Sequence, residues 1–126
     1  MTKAKKSDWK TKRLPAKHTT ITLGRTFSPE EMERMMEGFI PEAMEDKWFI
    51  FWEKEKLYFY RSWTGFCIYI ARFINECGMS TMVEAMVNRN VNQYTETEDN
   101  RDAMMISWLI DILLLRKESE YPRDDP

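Results

Sequence analysis

Arg61-Ser62-Trp63-Thr64-Gly65 and Asn88-Arg89-Asn90 hold the residue types that grip an anionic ligand. A guanidinium pairs with phosphate through two parallel N–H bonds, and an indole offers a stacking face to a base. Ser62 and Thr64 add hydroxyls, Gly65 lets a ligand approach backbone, and Asn88 and Asn90 supply amides for a ribose or a base. None of these is a nucleophile with a base beside it. The single histidine, His18, has no neighbours at ligand spacing, so neither a His-based metal site nor a Ser-His-Asp triad is expected. Gly-rich phosphate loops, paired CxxC motifs and nucleophile elbows are absent as well. Glu45, Asp46 and Glu84 are the acids that would act as general base if the chain processed nucleotides. The expectation is a ligand-binding set of Arg61, Ser62, Trp63, Thr64, Asn88, Arg89 and Asn90, with no catalytic residue, no metal and no cofactor.

Strands must position these clusters. Between Trp48 and Trp63 lie eight aromatic residues, interrupted near Glu53–Lys56, and Thr64-Gly65 breaks the run. Aromatic and β-branched side chains fit a pleated, half-buried surface, so three consecutive antiparallel strands are expected from Trp48 to Ile74. Alternation puts Trp48, Ile50 and Trp52 on one face and Phe49 and Phe51 on the other. In the next strand it sets Leu57, Phe59, Arg61 and Trp63 against Tyr58, Tyr60 and Ser62. The third strand sets Phe66, Ile68 and Ile70 against Cys67, Tyr69 and Ala71. A turn at Asn75–Gly78 leads into a return strand over Thr81–Asn88, with Val83, Ala85 and Val87 opposite Met82, Glu84 and Met86. If these strands pair in sequence order, Arg61, Trp63, Thr64 and Arg89 share one rim. A further strand, HTTITL from His18, ends near Gly24.

Two helices complete the pattern. Ser28-Pro29-Glu30-Glu31 is a helix start, with Ser28 as cap, Pro29 preset in φ, and acids at the positive end of the dipole. Met32, Met35, Met36 and Phe39 give it an apolar stripe, and it stops by Gly38 or Pro41. Thr95 with Glu98 matches a capping box, so a long apolar helix is expected over Glu98–Arg116.

The net charge of −2 conceals an asymmetry: residues 1–17 carry seven Lys/Arg against one Asp, leaving twelve against twenty for the remainder. A folded body that acidic makes nucleic acid an unlikely partner. The 126 residues divide into a flexible basic arm (1–16), a single domain (17–117) and a polar tail (118–126). Cys67 and Cys77 are expected as reduced thiols in a cytoplasmic chain, because the basic start is followed by no apolar stretch. Met104–Leu115, the longest apolar run, is too short to cross a membrane.

The runs MEDKWFIFWEKEKLYFYRSWTGFCIY and VEAMVNRNVNQY, followed by SWLIDILLL, resemble a family of small bacterial and phage α+β domains. That family is associated with genes for ADP-ribosylglycohydrolases and macrodomain proteins, and the likeness covers roughly residues 28–116. No activity attaches to the family, so no catalytic residue carries over. What the resemblance implies is the fold and a ligand related to NAD or ADP-ribose.

The combined expectation is an α+β domain: a mainly antiparallel sheet of four or five strands, a long C-terminal helix and a shorter N-terminal one. Its sheet is apolar on both faces, more than two helices cover, so a homo-oligomer is expected. The function expected is non-catalytic sequestration of an anionic nucleotide-derived signal, an ADP-ribose or cyclic nucleotide. A phage anti-defence sponge would work in this way. The alternatives are a nucleotide- or ADP-ribose-processing enzyme and a protein–protein inhibitor that takes no small ligand.

Overall fold

The computed structural model describes residues 3–122. Five strands, β1 (His18–Phe27), β2 (Trp48–Glu53), β3 (Lys56–Arg61), β4 (Cys67–Glu76) and β5 (Met79–Asn88), form one sheet in the order β1-β5-β4-β3-β2. Every pairing is antiparallel. β2 to β5 form a meander in sequence order, and β1 joins it at the β5 edge. Helices α1 (Pro29–Met35) and α2 (Asp99–Leu109) complete an α+β fold.

The turns explain the meander. Lys54 and Glu55 both take positive φ, 52° and 63°, a turn whose twist matches the strands it joins. Cys77 and Gly78 do the same between β4 and β5, at 52° and 83°. In β2 and β3 the alternation holds: Trp48, Ile50, Leu57 and Phe59 face the helices, while Phe49, Phe51, Tyr58 and Tyr60 face away.

β4 and β5 depart from simple alternation because each carries a bulge. Phe59 pairs with Tyr69 but Tyr60 pairs with Cys67, so Ile68 is the extra residue. Ile68, Tyr69, Ala71 and Phe73 consequently face the helices, and Cys67 joins Ile70 on the opposite side. Arg72 pairs with Glu84 and Phe73 with Met82, which makes Val83 the extra residue of β5. Met82 therefore lies in the helix-side core with Ala85 and Val87, not opposite them.

α1 starts as expected: the Ser28 hydroxyl accepts from the Glu31 N–H at 3.2 Å, and the Glu31 carboxylate accepts from the Ser28 N–H at 2.9 Å. That return bond is the main influence holding the Glu31 carboxyl below its ordinary pKa. Met32 and Met35 are buried beneath the sheet's helix side. The second helix corrects its expected cap. Glu98 is the N-cap and no side chain caps there; the Glu96 carboxylate takes the Thr97 and Glu98 N–H groups instead. α2 continues as a π-helical turn over Ile110–Leu114 and ends where Arg116 takes φ 57°. Its buried apolar side chains are Ile106, Leu109, Ile110 and Leu114, and Asp102 is buried with them.

The largest difference concerns the sheet's other face. The segment expected as a flexible arm lies against it: Ala4, Trp9 and Leu14 pack with Phe49, Phe51, Tyr58, Tyr60 and Ile70. The Ala4 N–H donates to Glu37 O and the Lys12 N–H to Gly65 O, each at 2.8 Å. Burying Phe49 and Phe51 there contributes roughly 1.5–3 kcal/mol each. The chain thus covers its own second apolar face, which removes the premise from which an oligomer was expected. Of the expected tail, residues 119–121 fold back on α2, with Trp108 Nε1 donating to Ser119 O at 3.2 Å and Tyr121 edge-on to Trp108 at 4.9 Å. Residues 1–2 of the arm and 123–126 of the tail lie outside the described residues. Among the described residues, no helix is long and apolar enough to cross a membrane.

Candidate functional site

The ends of β3 and β5 and the start of β4 meet at one end of the sheet, because the meander is antiparallel. The loop between β3 and β4 is closed by Arg61 N–H to Phe66 O at 2.9 Å and by Gly65 N–H to Arg61 O at 2.8 Å. Gly65 sits at φ 80°, and a Cβ there would meet Lys10 O at 3.0 Å. The residue is therefore needed for the approach of the amino-terminal segment rather than of a ligand.

Ser62 is the knot of this loop. Its hydroxyl donates to Asp46 O at 2.6 Å, its N–H donates to Lys47 O at 2.9 Å, and its carbonyl accepts from Trp9 Nε1 at 2.8 Å. The side chain is buried and fully employed. Thr64 holds the same turn by accepting from the Phe66 N–H at 3.2 Å. Asn88, fully buried, donates to Cys67 O at 2.8 Å and to Gln93 Oε1 at 2.9 Å, and it accepts from the Asn90 N–H at 2.8 Å. Asn90 accepts from the Asn92 N–H at 2.9 Å. These four residues build the rim.

Arg61 and Trp63 line different hollows. Trp63 is 57% exposed, donates from Nε1 to Met44 O at 3.0 Å, and carries Lys47 Nζ over its ring at 3.9 Å. It borders an open, mostly apolar hollow of about 600 Å³ with Trp9, Pro41 and Met44. Arg61 borders a smaller cleft of about 300 Å³ with Trp48, Tyr69, Tyr94, Glu96 and Arg101. The larger hollow offers shape and the smaller one charge.

A buried polar network forms the floor of the smaller cleft. The Tyr94 hydroxyl donates to Asp102 Oδ1 at 2.5 Å, which leaves its oxygen to accept from Tyr69 at 2.6 Å. Asp102 is completely buried, and Arg89 donates to its Oδ2. Arg89 also reaches Asp99 at 2.9 Å and Glu96 O at 3.2 Å, tying the 90–98 segment to the helix start. Burial pushes both Tyr69 and Tyr94 well above the ordinary phenol range, so both stay protonated. Burial likewise raises Asp102, against the opposing hydrogen bonds from Tyr94 and Arg89. For Arg89, burial works against the charge, but the bonds to Asp102 and Asp99 outweigh it and raise its pKa. Arg89 thus holds the wall from behind.

At the mouth, the Arg61 guanidinium lies 5.0 Å over the Trp48 ring, whose other partner is Tyr69, stacked at 5.7 Å and 15°. The Trp48 indole thus meets Tyr69 and the guanidinium of exposed Arg61. Among the described residues, Arg61 meets no carboxylate. Arg101 Nε lies 3.4 Å from Glu96 Oε1. The arrangement suits holding a phosphate or carboxylate beside a polar wall. Asp46, considered as a base, caps Glu42 and Ala43 N–H groups, and Glu84 pairs with Arg72 at 3.1 Å, so neither lines the cleft. No group of three or more His, Cys, Asp or Glu among the described residues could hold a metal.

Tyr69, Tyr94, Glu96, Arg101 and Asp102 escaped the sequence reading. One signal was available: Asp99 and Asp102 share a helix face at a spacing of three, ready for one cation. No family model matches the chain, and no curated protein or solved structure matches it either.

Proposed function

We propose that the protein binds a small anionic, nucleotide-derived molecule in the cleft beside Arg61 and does not turn it over. One observation carries the reading: a guanidinium lies over Trp48, without a carboxylate partner among the described residues, at the mouth of a cleft lined by tyrosines. A guanidinium free of a carboxylate partner gives up no ion pair when it takes an anion. The cleft's size, about 300 Å³, suits one phosphorylated nucleoside unit, with the rest of a larger ligand over the rim. The likeness of the MEDKWF and RSWTG segments to domains found beside ADP-ribose genes supports an NAD- or ADP-ribose-related ligand. In this reading the role is sequestration.

Calorimetry with AMP, NAD, ADP-ribose, cyclic ADP-ribose isomers and cyclic di- and trinucleotides tests it. At least one should bind, and Arg61→Ala should weaken that binding by roughly 1.5–3 kcal/mol, about tenfold to hundredfold. Trp63→Ala, altering the other hollow, should leave affinity unchanged. No heat with any of these compounds from folded protein would sink the proposal, and product formation would replace binding with catalysis.

A further inference from the structure

The sheet has two edges, and the fold treats them differently. At the β2 edge, Phe39 and Ile50 exchange both backbone bonds, N–H to O at 2.9 and 3.0 Å. At the other edge, β1 runs for ten residues and pairs only with β5. Among the described residues, nothing bonds to the outward backbone groups of His18–Phe27. The usual guards of an exposed edge are proline, charge, bulges and short length, and in β1 the irregularity comes only after Thr22. Thr19-Thr20-Ile21-Thr22-Leu23 contains none of the first two, and Thr20 and Thr22 are exposed.

We propose that β1 pairs antiparallel with β1 of a second copy, with the two-fold axis at Thr20. An axis perpendicular to a continuous sheet keeps each side chain on its own face, so the axis passes through a residue of the run. An axis at Ile21 would set Lys17 opposite Arg25, a like-charge pair. An axis at Thr22 would lay the pairing across the irregular register between Thr22 and Arg25. At Thr20, His18 faces Thr22, Lys17 faces Leu23, and the pairing uses the regular stretch before the irregularity. The contact is short, so the dimer is a weak one with a dissociation constant in the micromolar range.

Sedimentation of the full chain across the micromolar range is the first test, with a concentration-dependent dimer expected. Thr20→Lys sets two lysines face to face and should weaken the dimer about tenfold, as should Thr20→Glu. Mixing the two variants should restore it as a heterodimer. In a Cys77→Ser background, Thr20→Cys should oxidise to a disulfide-linked dimer. Thr22→Cys should not, since its two copies would lie four residues apart, about 13 Å, beyond the reach of a disulfide. A wild-type protein that stays monomeric throughout overturns the proposal. So does a dimer indifferent to Thr20→Lys, or one in which Thr22→Cys alone cross-links.

Discussion

Trp9 lies stacked on Phe49, ring centroids 6.2 Å apart and planes 24° from parallel, while its indole nitrogen donates to the Ser62 carbonyl. One residue of the basic amino-terminal segment thus fastens that segment both to the sheet face and to the loop beside the cleft. Trp9→Ala removes a half-buried ring and one hydrogen bond, a loss of roughly 2–3 kcal/mol. Urea unfolding should show a lowered midpoint with the slope retained. A variant as stable as wild type would mean that the segment adds nothing to the fold.

The Arg89–Asp102 pair is the second place where stability is concentrated. Asp102 is buried with Arg89 and Tyr94 bonded to it, so Asp102→Ala takes an acceptor from each and leaves Arg89 with Asp99 and Glu96 O, and Tyr94 with Tyr69. Breaking a buried pair from one side costs about 3–5 kcal/mol when the remaining charge is uncompensated, and Asp99 beside Arg89 should hold the loss near the lower end. Arg89→Met combined with Asp102→Leu should recover part of that loss, because no buried charge of the pair then remains. Chemical denaturation of Asp102→Ala, Asp102→Leu and the double variant checks both statements. A double variant no more stable than the Asp102 variant alone would contradict them.

Cys67 gives a prediction about pH. Its thiol faces the amino-terminal segment, and burial pushes its pKa up to about 12 from 9.0. Folded protein at neutral pH should take one alkyl group, on exposed Cys77, and unfolded protein two. Between those two pKa values the unfolded chain binds fewer protons than the folded one, so stability falls as pH rises through the interval. Tyr60 and Tyr69, also raised by burial, act in the same direction at the alkaline end. Cys67→Ala should flatten the alkaline decline in part, and an unchanged decline would refute the assignment.

What the sequence made legible follows from where the chain is regular. β2 and β3 pair without a bulge, so the faces of Trp48 to Phe59 follow directly from alternation. Ile68 and Val83 each interrupt that count, and one inserted residue reverses every assignment on its far side. The amino-terminal segment has no period, because Ala4, Trp9 and Leu14 reach the sheet from irregular backbone. Its composition therefore resembled a solvated tail. At the candidate site, Arg61 stood out by residue type and by its place at a strand end. Asp102 did not, since an acid in the first turn of a helix is ordinary unless something buries it.

The sheet joins the beginning of the chain to its middle: β1 pairs with β5, His18 opposite Asn88, while every other strand pairs with its neighbour in sequence. Synthesis therefore delivers the first strand long before its partner. The hairpins from β2 to β5 close over short loops as they emerge, and closure by β1 has to wait for the last of them. During that wait Thr19–Leu23 has both edges open. The seven cations of residues 1–17 precede this uncharged strand and repel their counterparts on other nascent chains. In the folded chain Lys6, Lys12 and Arg13 of the same segment border Tyr58, Tyr60 and Ile70 of the sheet.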